Sequence, residues 1–490
     1  MSKKQVFNPY LPAGEYVPDG EPHLFDGRVY VYGSHDRFGG KAFCMNDYVC
    51  WSAPENDLTD WRMEGVIYRK SQDPDNPEGK KCLYAPDVCR GPDGRYYLYY
   101  AFDFWGKIGV AVCDTPAGRY EFLGYVHHPD GTPLGRAKGD KFQFDPGVYV
   151  EGDDVYLYTG FCPKGFPFNI MLGGRINRGG AMVTLLDRDM LTVRCAPRTI
   201  ACGIYDSAGT PYEGHEFFEA ASMRKIGEKY YFIYSSYLGH ELCYAVGDSP
   251  DGDFEFGGTL VSIGDVGLRG IKGVKDAANF TGNTHGSVVC AGGKYYVFYH
   301  RQTNRHCYAR QACAERITVL PDGSIPQAEV TSCGLGDAPL GGIGEYGARI
   351  ACNLTCPAGG KFYSIFRGRE GKRPYFTQSA PDYEYADGQG DEPYQYIANM
   401  RDGAQAGFKY FDLSRTHTVT VTVRGKARGR MIAAYSPGGE PAAVIPADLH
   451  TGEWTELPAV PLTGEKTAKN ALFFRFEGEG RIDFLSFRLG

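Results

Sequence analysis

The sequence lacks several features that would assign it to particular classes of protein. No run of about 18 apolar residues is present, the length that a bilayer-spanning helix requires. No basic run is present either, and the net charge is −7, from 52 Lys and Arg against 59 Asp and Glu. This charge balance argues against a nucleic-acid backbone as the main partner. We therefore expect neither a membrane nor a nucleic acid among its partners.

Paired cysteine spacings are also missing, although the chain has 15 cysteines. Cys352 and Cys356 stand close together, but no second pair follows at a distance typical of a zinc site. The N-terminus, Met-Ser-Lys-Lys-Gln-Val-Phe, lacks the apolar core of a signal peptide. The sequence therefore predicts reduced thiols in a cytoplasmic protein, with no cofactor required.

The residues that are abundant favour β-structure. Tyrosine is frequent, with 36 residues against only 4 tryptophans, and there are 66 glycines among 490 residues. Aromatic residues favour strands, while glycine and proline favour tight turns. A chain of this length exceeds the usual size of one core. The composition thus predicts a nearly all-β protein with two domains.

A short pattern, a glycine followed by an aromatic alternating strand, recurs five times. Its equivalent tyrosines are 59 to 75 residues apart, a spacing that suits one four-stranded sheet with generous loops. The five tyrosines are Tyr30, Tyr97, Tyr156, Tyr231 and Tyr296. Because no sixth copy follows residue 300, the repeats predict a five-bladed β-propeller.

A polar residue precedes each of these tyrosines by 10 to 12 positions. The five are Asp19, Asp87, Asp145, Glu219 and His285. If the strand before each glycine turn is the inner strand of a blade, these side chains converge at one mouth of the central channel. Convergent carboxylates in a concavity are typical of a functional site.

The pattern changes after residue 330. Ile317-Thr-Val-Leu is predicted to complete the ring with the N-terminal segment, which assigns residues 1–332 to the propeller. Residues 333–344 are glycine-rich and are predicted to form a linker. Alternating strands such as Thr418-Val-Thr-Val-Thr-Val then predict a β-sandwich over residues 345–490.

Three carboxylates are the main catalytic candidates, because glycosidic bond cleavage uses one carboxylic acid and one carboxylate on opposite sides of a sugar. Asp19 is the candidate base, with Glu21 as the nearby alternative. Glu219 is the candidate acid, because its apolar neighbours favour the protonated form. Glu213 and Glu216 compete for that role but lie out of register. Asp145 is a third carboxylate that would discourage ionisation of the acid.

Other side chains are candidates for substrate contacts. Asp87 either lines the site or bonds to backbone and holds its blade. His285 lines the axis and binds water or a cation, and Arg301 bonds to sugar hydroxyls or to a carboxylate. Aromatic residues that could stack on a sugar or lie in the core are Trp51, Phe104 and Trp105.

The motifs around these residues resemble glycoside hydrolase family 43, five-bladed propeller enzymes that invert the anomeric centre. The resemblance covers roughly residues 7 to 330. The matching segments are Asp19 through Tyr30-Val-Tyr-Gly-Ser-His-Asp36, Tyr84-Ala-Pro-Asp, Phe144-Asp-Pro, Phe218-Glu-Ala, Thr284-His-Gly-Ser and His300-Arg301. One departure is Asp19-Gly-Glu-Pro22, where the family usually has Asp-Pro.

The resemblance implies roles for the matched residues. Asp19 would be the general base, Asp145 the modulator of the acid's pKa and Glu219 the general acid. The implied substrate-binding residues are Asp36, Asp87, Trp105, Phe144, His285 and Arg301. It also implies calcium or another ion on the axis near His285.

The tail is similar to family 6 carbohydrate-binding modules at Asp402-Gly-Ala-Gln-Ala-Gly-Phe-Lys-Tyr-Phe and Phe484-Leu-Ser-Phe-Arg-Leu. Gln405 stands where such modules often carry an aromatic residue. The tail is therefore expected to pack on the propeller in preference to binding sugar.

Three functions remain open from the sequence. The leading hypothesis is an exo-acting α-L-arabinofuranosidase or β-D-xylosidase that acts on hemicellulose- or pectin-derived oligosaccharides. The alternatives are an endo-acting arabinanase and a propeller that binds glycans without catalysis. The oligomeric state is not readable from the sequence.

Overall fold

The computed structural model describes residues 7–363, 371–380 and 393–490. The first part is a five-bladed β-propeller, as the tyrosine repeats predict, and the second is a sheet domain. Within the described residues the one α-helix is α1, Phe166–Met171, and short 3-10 turns cover Lys70–Gln72, Val274–Asp276 and Ala348–Ile350. No helix in these ranges combines the length and the apolar character that a bilayer crossing requires. The predicted all-β fold class is confirmed.

Blades 1 to 4 each contain four antiparallel strands in chain order. Blade 1 is β1–β4: Glu21–Phe25, Arg28–Tyr32, Tyr48–Pro54 and Arg62–Tyr68. Blade 2 is β5–β8: Leu83–Arg90, Tyr96–Phe102, Gly109–Cys113 and Glu121–Tyr125. Blade 3 is β9–β12: Gly147–Glu151, Asp154–Thr159, Gly180–Leu186 and Val193–Cys202. Blade 4 is β13–β16: Phe217–Ile226, Lys229–Ser236, Glu241–Gly247 and Glu255–Ser262.

Blade 5 has three strands, β17–β19: Val288–Ala291, Lys294–Thr303 and His306–Ile317. The N-terminal segment closes the ring against the outer strand of this blade. The backbone N–H of Tyr10 donates to Ala312, and the side-chain amide of Asn8 bonds to Ala314 on both its N–H and its C=O. The closing contact thus lies on β19 at Ala312 and Ala314, upstream of Ile317-Thr-Val-Leu, the segment that the sequence analysis assigned to it.

Each repeated tyrosine lies on the second strand of its blade, one hairpin after the inner strand. In blade 4 the hairpin turns through Gly227, whose φ of +61° is the left-handed conformation that glycine adopts without steric cost. The buried aromatic faces of these second strands form the cores between blades, with residues such as Tyr99, Tyr158 and Tyr234 fully buried. The sequence repeat therefore marks the strand of each blade that packs against the neighbouring blade.

The C-terminal domain is one sheet system of eleven strands, β20–β30. Their bounds are Leu340–Gly341, Gly344–Gly347, Asn353–Thr355, Tyr375–Gln378, Gln395–Met400, Gln405–Asp412, Thr418–Ala434, Ala443–Pro446, Leu449–Glu456, Val460–Pro461 and Asn470–Leu489. The long strands β26 and β30 pair along most of their length. Strand β20 pairs with β25, so the end of the segment predicted as a linker is part of this sheet.

Buried polar contacts join the two parts of the chain. The Lys409 ammonium lies 2.9 Å from a carboxylate oxygen of Asp265 and 3.0 Å from one of Glu329. The Gln311 amide donates to Gln395 at 3.0 Å. The tail therefore packs on the propeller, as its sequence predicted.

Candidate active site

The polar residues that precede or begin the inner strands meet at one end of the propeller. Asp19 and Asp145 come directly before β1 and β9, and both have positive φ, +58° and +44°. Ala220, which follows Glu219 on β13, has φ of +68°. Left-handed backbone at non-glycine residues costs free energy and clusters at functional sites. The surrounding structure therefore holds these three positions in unusual conformations around one point.

Asp19 lies in a positive environment. Nη1 of Arg310 donates to its Oδ1 at 2.7 Å, and Nδ1 of His300 lies 3.4 Å from the same oxygen. Burial alone would raise the pKa of Asp19, but the charge of Arg310, with smaller effects from His300 and His285, lowers it below its usual value. Asp19 is therefore an ionised carboxylate near neutral pH.

Glu219 has the opposite environment. Burial, followed by the negative charge of Asp145, raises its pKa well above the usual value for glutamate. Asp145 accepts a hydrogen bond from the backbone N–H of Ala220 at 3.2 Å, and burial raises its own pKa to about 7. Glu219 therefore carries a proton at a pH where Asp19 does not.

His285 lies between two carboxylates. Its Nδ1 is 3.7 Å from Asp145 and its Nε2 is 3.7 Å from Oε1 of Glu21. Burial lowers the pKa of His285, but the carboxylates, first Glu21, raise it to about 9. The other oxygen of Glu21 accepts hydrogen bonds from Ser222 and Arg224, so Glu21 is already engaged as an anchor of blade 4.

The expected ion near His285 can be tested against these atoms. Oε1 of Glu21 is buried and has no hydrogen-bond partner among the described residues. A carboxylate oxygen is the type of ligand that calcium takes in proteins, although this one also lies 3.7 Å from Nε2 of His285. Because one protein oxygen is far short of a full calcium shell, the residues fit an ion that keeps most of its water.

A chain of seven aromatic rings, which we call the collar, runs across all five blades beside the carboxylates. Neighbouring ring centroids are 4.9 to 6.3 Å apart, and every blade contributes at least one ring. In order the rings are Tyr308, Phe43, Tyr84, Phe144, Phe161, Phe218 and Tyr237. Phe144 and Phe218 directly precede Asp145 and Glu219, which places the collar at the entrance to the acidic centre.

The C-terminal domain reaches the same rim. Phe362, 40% exposed, packs so closely on Gly239 that a Cβ atom there would approach its ring to 2.8 Å. Backbone hydrogen bonds join Thr281 to Lys361 and Tyr363 on either side of it. Phe362 thus lies between the loops of blades 4 and 5, beside Tyr237 of the collar.

Three predicted contact residues, Arg301, Trp105 and Asp36, are placed differently from expectation. Arg301 points away from the site: its guanidinium donates to Gln311 and to the backbone carbonyls of Arg349 and Ala351. Trp105 is buried against Phe102 and Tyr125. Neither side chain faces the carboxylates, because Arg301 belongs to the interface with the C-terminal domain and Trp105 to the packing within blade 2.

The carboxylates of Asp87 and Asp36 bond to other groups of the protein. Asp87 accepts hydrogen bonds from the backbone N–H groups of Val88 and Val148 and lies 2.6 Å from Nε2 of His23. Both of its oxygens are thus used to join blades 1, 2 and 3, which is the backbone-holding alternative. Asp36 is fully buried and takes two hydrogen bonds from the Arg310 guanidinium.

Arg310 is the functional residue that the sequence analysis missed. It is fully buried, bonds to Asp19 and Asp36, and lies 4.8 Å from the centre of the Phe43 ring. The available signal was the strand pattern of β19, Cys307-Tyr-Ala-Arg-Gln-Ala-Cys, in which an arginine interrupts a buried run. A buried arginine requires a carboxylate partner, and Asp19 and Asp36 supply it.

The site therefore combines one ionised and one protonated carboxyl group within one aromatic entrance. Such a pair supports general acid–base chemistry at a sugar, whose apolar face packs on aromatic rings.

Comparison with known proteins gives the same indication. The model for glycosyl hydrolases family 43 matches residues 23–325. The chain is 51% identical over 490 residues to a xylosidase/arabinosidase of Thermoclostridium stercorarium, with 99% of each chain covered. It is 32% identical over 319 residues to a beta-xylosidase of Xylanibacter ruminicola, covering 59% of this chain and 89% of the relative.

Among solved structures, a GH43_1 enzyme from Xanthomonas citri aligns with 67% of this chain and 95% of its own at a TM-score of 0.50. At 24% identity this likeness concerns the fold alone.

Proposed function

This chain belongs to glycosyl hydrolases family 43, and on that premise we propose that it inverts the anomeric centre and releases terminal pentose residues from oligosaccharides. It is a glycoside hydrolase, and a glycan is its substrate. The proposed substrates are α-L-arabinofuranosides and β-D-xylosides from hemicellulose or pectin. The names of the relatives, xylosidase/arabinosidase and beta-xylosidase, support this substrate class.

The opposite pKa shifts of Asp19 and Glu219 carry the mechanism. Glu219 donates its proton to the glycosidic oxygen as the bond from that oxygen to the anomeric carbon breaks. Water attacks the anomeric carbon from the other side, and Asp19 takes the proton that the water loses. The new C–O bond forms on the face opposite the leaving group, so the product has inverted configuration.

Neighbouring groups keep the two carboxyls in these states. The Arg310 guanidinium stabilises the ionised form of Asp19 before water is deprotonated. Asp145 disfavours ionisation of Glu219, and its bond to the Ala220 N–H fixes the backbone beside the acid. If an axial ion is bound, an oxygen of Glu21 would hold it, because the protonated His285 cannot ligate a cation, and the ion would supply positive charge beside Asp145.

Exo action is supported by the collar, to which every blade contributes at least one ring, and by Phe362 of the C-terminal domain, which packs on Gly239. A rim of this kind suits one terminal residue better than an internal stretch of polymer. We also propose a cytoplasmic location, which buried thiols such as those of Cys44, Cys50 and Cys243 support, because they form no disulfide among the described residues. The likeness of the tail to family 6 modules also stays a prediction.

The test compares wild type with Glu219→Gln on aryl α-L-arabinofuranosides and aryl β-D-xylosides. We expect kcat/KM on nitrophenyl glycosides to fall by about 10²- to 10⁴-fold, the usual worth of a general acid. The fall in kcat/KM should be much smaller for dinitrophenyl glycosides, because their leaving group departs without protonation. Asp19→Asn should be equally impaired on both leaving groups, since it removes the base.

NMR of the first-formed sugar checks the stereochemistry, and inversion is expected. Retained configuration, or equal losses for both leaving groups in Glu219→Gln, would contradict the assignment of the acid. Cleavage of linear arabinan at internal bonds by the wild type, with both aryl glycosides intact, would favour the endo-acting alternative. Binding of these glycans without turnover would favour the alternative of a propeller that binds glycans without catalysis.

A further inference from the structure

Three side chains with metal-binding atoms meet in blade 4, outside the catalytic centre. One ligand atom each from His215, Glu241 and Cys243 lies within 4.8 Å of the other two. We call these three residues the blade 4 triad. Glu241 and Cys243 are buried, and the side chain of His215 is 36% exposed. A nitrogen, an oxygen and a sulfur atom therefore lie together at a place that solvent reaches beside the imidazole.

The fold brings the triad together through strand β15 and the segment before β13. Glu241 and Cys243 lie two positions apart on β15, so their side chains point to the same face of the sheet. His215 comes two residues before β13, and its backbone carbonyl accepts a hydrogen bond from the Tyr234 hydroxyl at 2.7 Å. The triad thus links the segment that leads to Glu219 with the third strand of the same blade.

Neighbouring groups orient the ligand atoms. Nδ1 of His215 lies 2.7 Å from Oε1 of Glu241, and the imidazole stacks on the Phe256 ring with centroids 4.8 Å apart. The Thr259 hydroxyl donates to the other oxygen of Glu241 at 3.0 Å and lies 4.0 Å from the sulfur of Cys243. Partners of this kind behind a ligand fix its orientation and strengthen metal binding.

The spacing of the three atoms suits a small tetrahedral ion. With zinc bonds of about 2.0–2.3 Å, neighbouring ligand atoms lie about 3.3–3.6 Å apart. The 2.7 Å separation of Nδ1 and Oε1 has to open by about 0.6 Å, and the longest separation, at most 4.8 Å, has to close by about 1.2 Å. Because the side chain of His215 is partly exposed, it has room to turn by this amount.

We propose that the blade 4 triad binds one zinc ion, with His215, Glu241 and Cys243 as three ligands and water as the fourth. A thiolate and an imidazole favour zinc over calcium and magnesium, which take oxygen ligands. The ion takes the place of the hydrogen atom between His215 and Glu241, and the Cys243 thiol gives up its own proton on binding. The bound ion cross-links the segment before β13 to β15 and so stabilises the folded state.

The experiment titrates cobalt(II), which occupies zinc sites and has a visible spectrum, into the metal-free full-length protein. Excess calcium is present to fill sites made of oxygen atoms alone. We expect one equivalent of cobalt to give the visible absorption of a tetrahedral ion and a thiolate-to-cobalt charge-transfer band in the near ultraviolet. Zinc should abolish both features by replacing cobalt. The zinc affinity is then measured by competition with a chromophoric chelator.

Two variants remove one ligand each. His215→Gln changes a partly exposed side chain, and Cys243→Ser exchanges only sulfur for oxygen. Each should lower the zinc affinity by about 100-fold or more, because loss of even an outer partner of a ligand costs about 10- to 100-fold. Zinc should raise the melting temperature of the wild type in scanning calorimetry, and this rise should be absent in both variants. The matched controls, His450→Gln and Cys195→Ser, lie at exposed positions elsewhere and should behave like the wild type.

The thiolate band distinguishes the triad from other places where a metal could bind. Among the described residues the other group of this kind, Glu21, His23 and Asp87, contains no sulfur, so cobalt bound there gives no such band. Cobalt binding without the band, or an unchanged zinc affinity in both His215→Gln and Cys243→Ser, would overturn the proposal. So would a thiolate band that persists in Cys243→Ser, because it would place the ion at another cysteine. Neither the site nor its test depends on the proposed function, which hydrolysis of aryl pentosides tests separately.

Discussion

At the scale of single residues, Arg310 is the group on which the electrostatics of the site depends. Its guanidinium bonds to Asp19 at 2.7 Å and to Asp36 at 2.8 Å, and all three side chains are buried. The charge of Asp19 is thereby stabilised, while the negative charge of Asp145 is, after burial, the largest influence on the pKa of Glu219. The pKa values of two carboxyl groups with similar intrinsic acidity are thus moved in opposite directions by the groups around them.

Asp145→Asn tests this separation. An amide carries no charge, so it no longer raises the pKa of Glu219, and the acid loses its proton at lower pH. We expect the alkaline limb of the profile of kcat/KM against pH to move to lower pH, while the acidic limb set by Asp19 moves much less. The profile is measured on aryl pentosides.

Asp114→Asn is the matched control, since that side chain is 83% exposed in its pair with Arg95. An alkaline limb that stays in place or moves upward would show that Asp145 does not set the state of Glu219.

At the scale of elements, irregularities in the inner strands aim the side chains. The pairing of β13 with β14 shifts register on both sides of Glu219, and that of β5 with β6 shifts between Tyr84 and Asp87. A bulge redirects a side chain without ending the strand. Bulges in β5 and β13 thus bring polar residues to the end of the channel, and the later part of each strand pairs regularly.

Ring closure also occurs at the level of elements, and Asn8→Ala tests it. The Asn8 amide bonds to both backbone groups of Ala314 and to Glu315. Its removal leaves these buried groups unpaired, and we expect the free energy of unfolding to fall by about 1–3 kcal/mol. Urea denaturation followed by tyrosine and tryptophan fluorescence measures the change.

Asn56→Ala, at an exposed position of blade 1, should be nearly neutral. Equal stability of the Asn8 variant and wild type would mean that closure by the N-terminal segment adds nothing to stability.

At the scale of the whole molecule, the two parts of the chain share a buried polar interface. Arg301 bonds to two carbonyls of the C-terminal domain, and its guanidinium lies 4.0 Å from the centre of the Phe376 ring. Lys409 enters the propeller between Asp265 and Glu329. Phe362 reaches the rim of the collar through the same interface, so loss of the interface would alter the entrance to the site.

Lys409→Met tests the coupling of the two parts. It leaves the buried carboxylate of Asp265 without its cation, and breaking such a pair costs about 3–5 kcal/mol. We expect the propeller of this variant to unfold at a lower temperature in scanning calorimetry.

Arg269→Met removes a cation of the same interface that is 63% exposed and should change the melting curve little. Identical curves for the Lys409 variant and wild type would show that the interface is not a source of stability.

The sequence determined what depends on local periodicity. Five aromatic strands at similar spacing specify five blades, because each blade repeats the same packing problem. The constant spacing between each tyrosine and its upstream polar residue predicted that Asp19, Asp145 and Glu219 lie close together. It could do so because a hairpin fixes the offset between its two strands. The all-β tail followed from its alternation alone.

Tertiary structure decided which face each side chain meets. Arg301 on β18 pairs with Gln311, and Arg310 on β19 pairs with Gln302, so the two arginines point to opposite faces of one hairpin. Arg301 meets the C-terminal domain and Arg310 meets Asp19. Likewise, the collar joins residues from distant strands, and no local pattern shows which faces of separate strands meet. Because neighbouring residues of a strand point to opposite faces, Arg301, which was predicted to contact substrate, contacts the C-terminal domain instead.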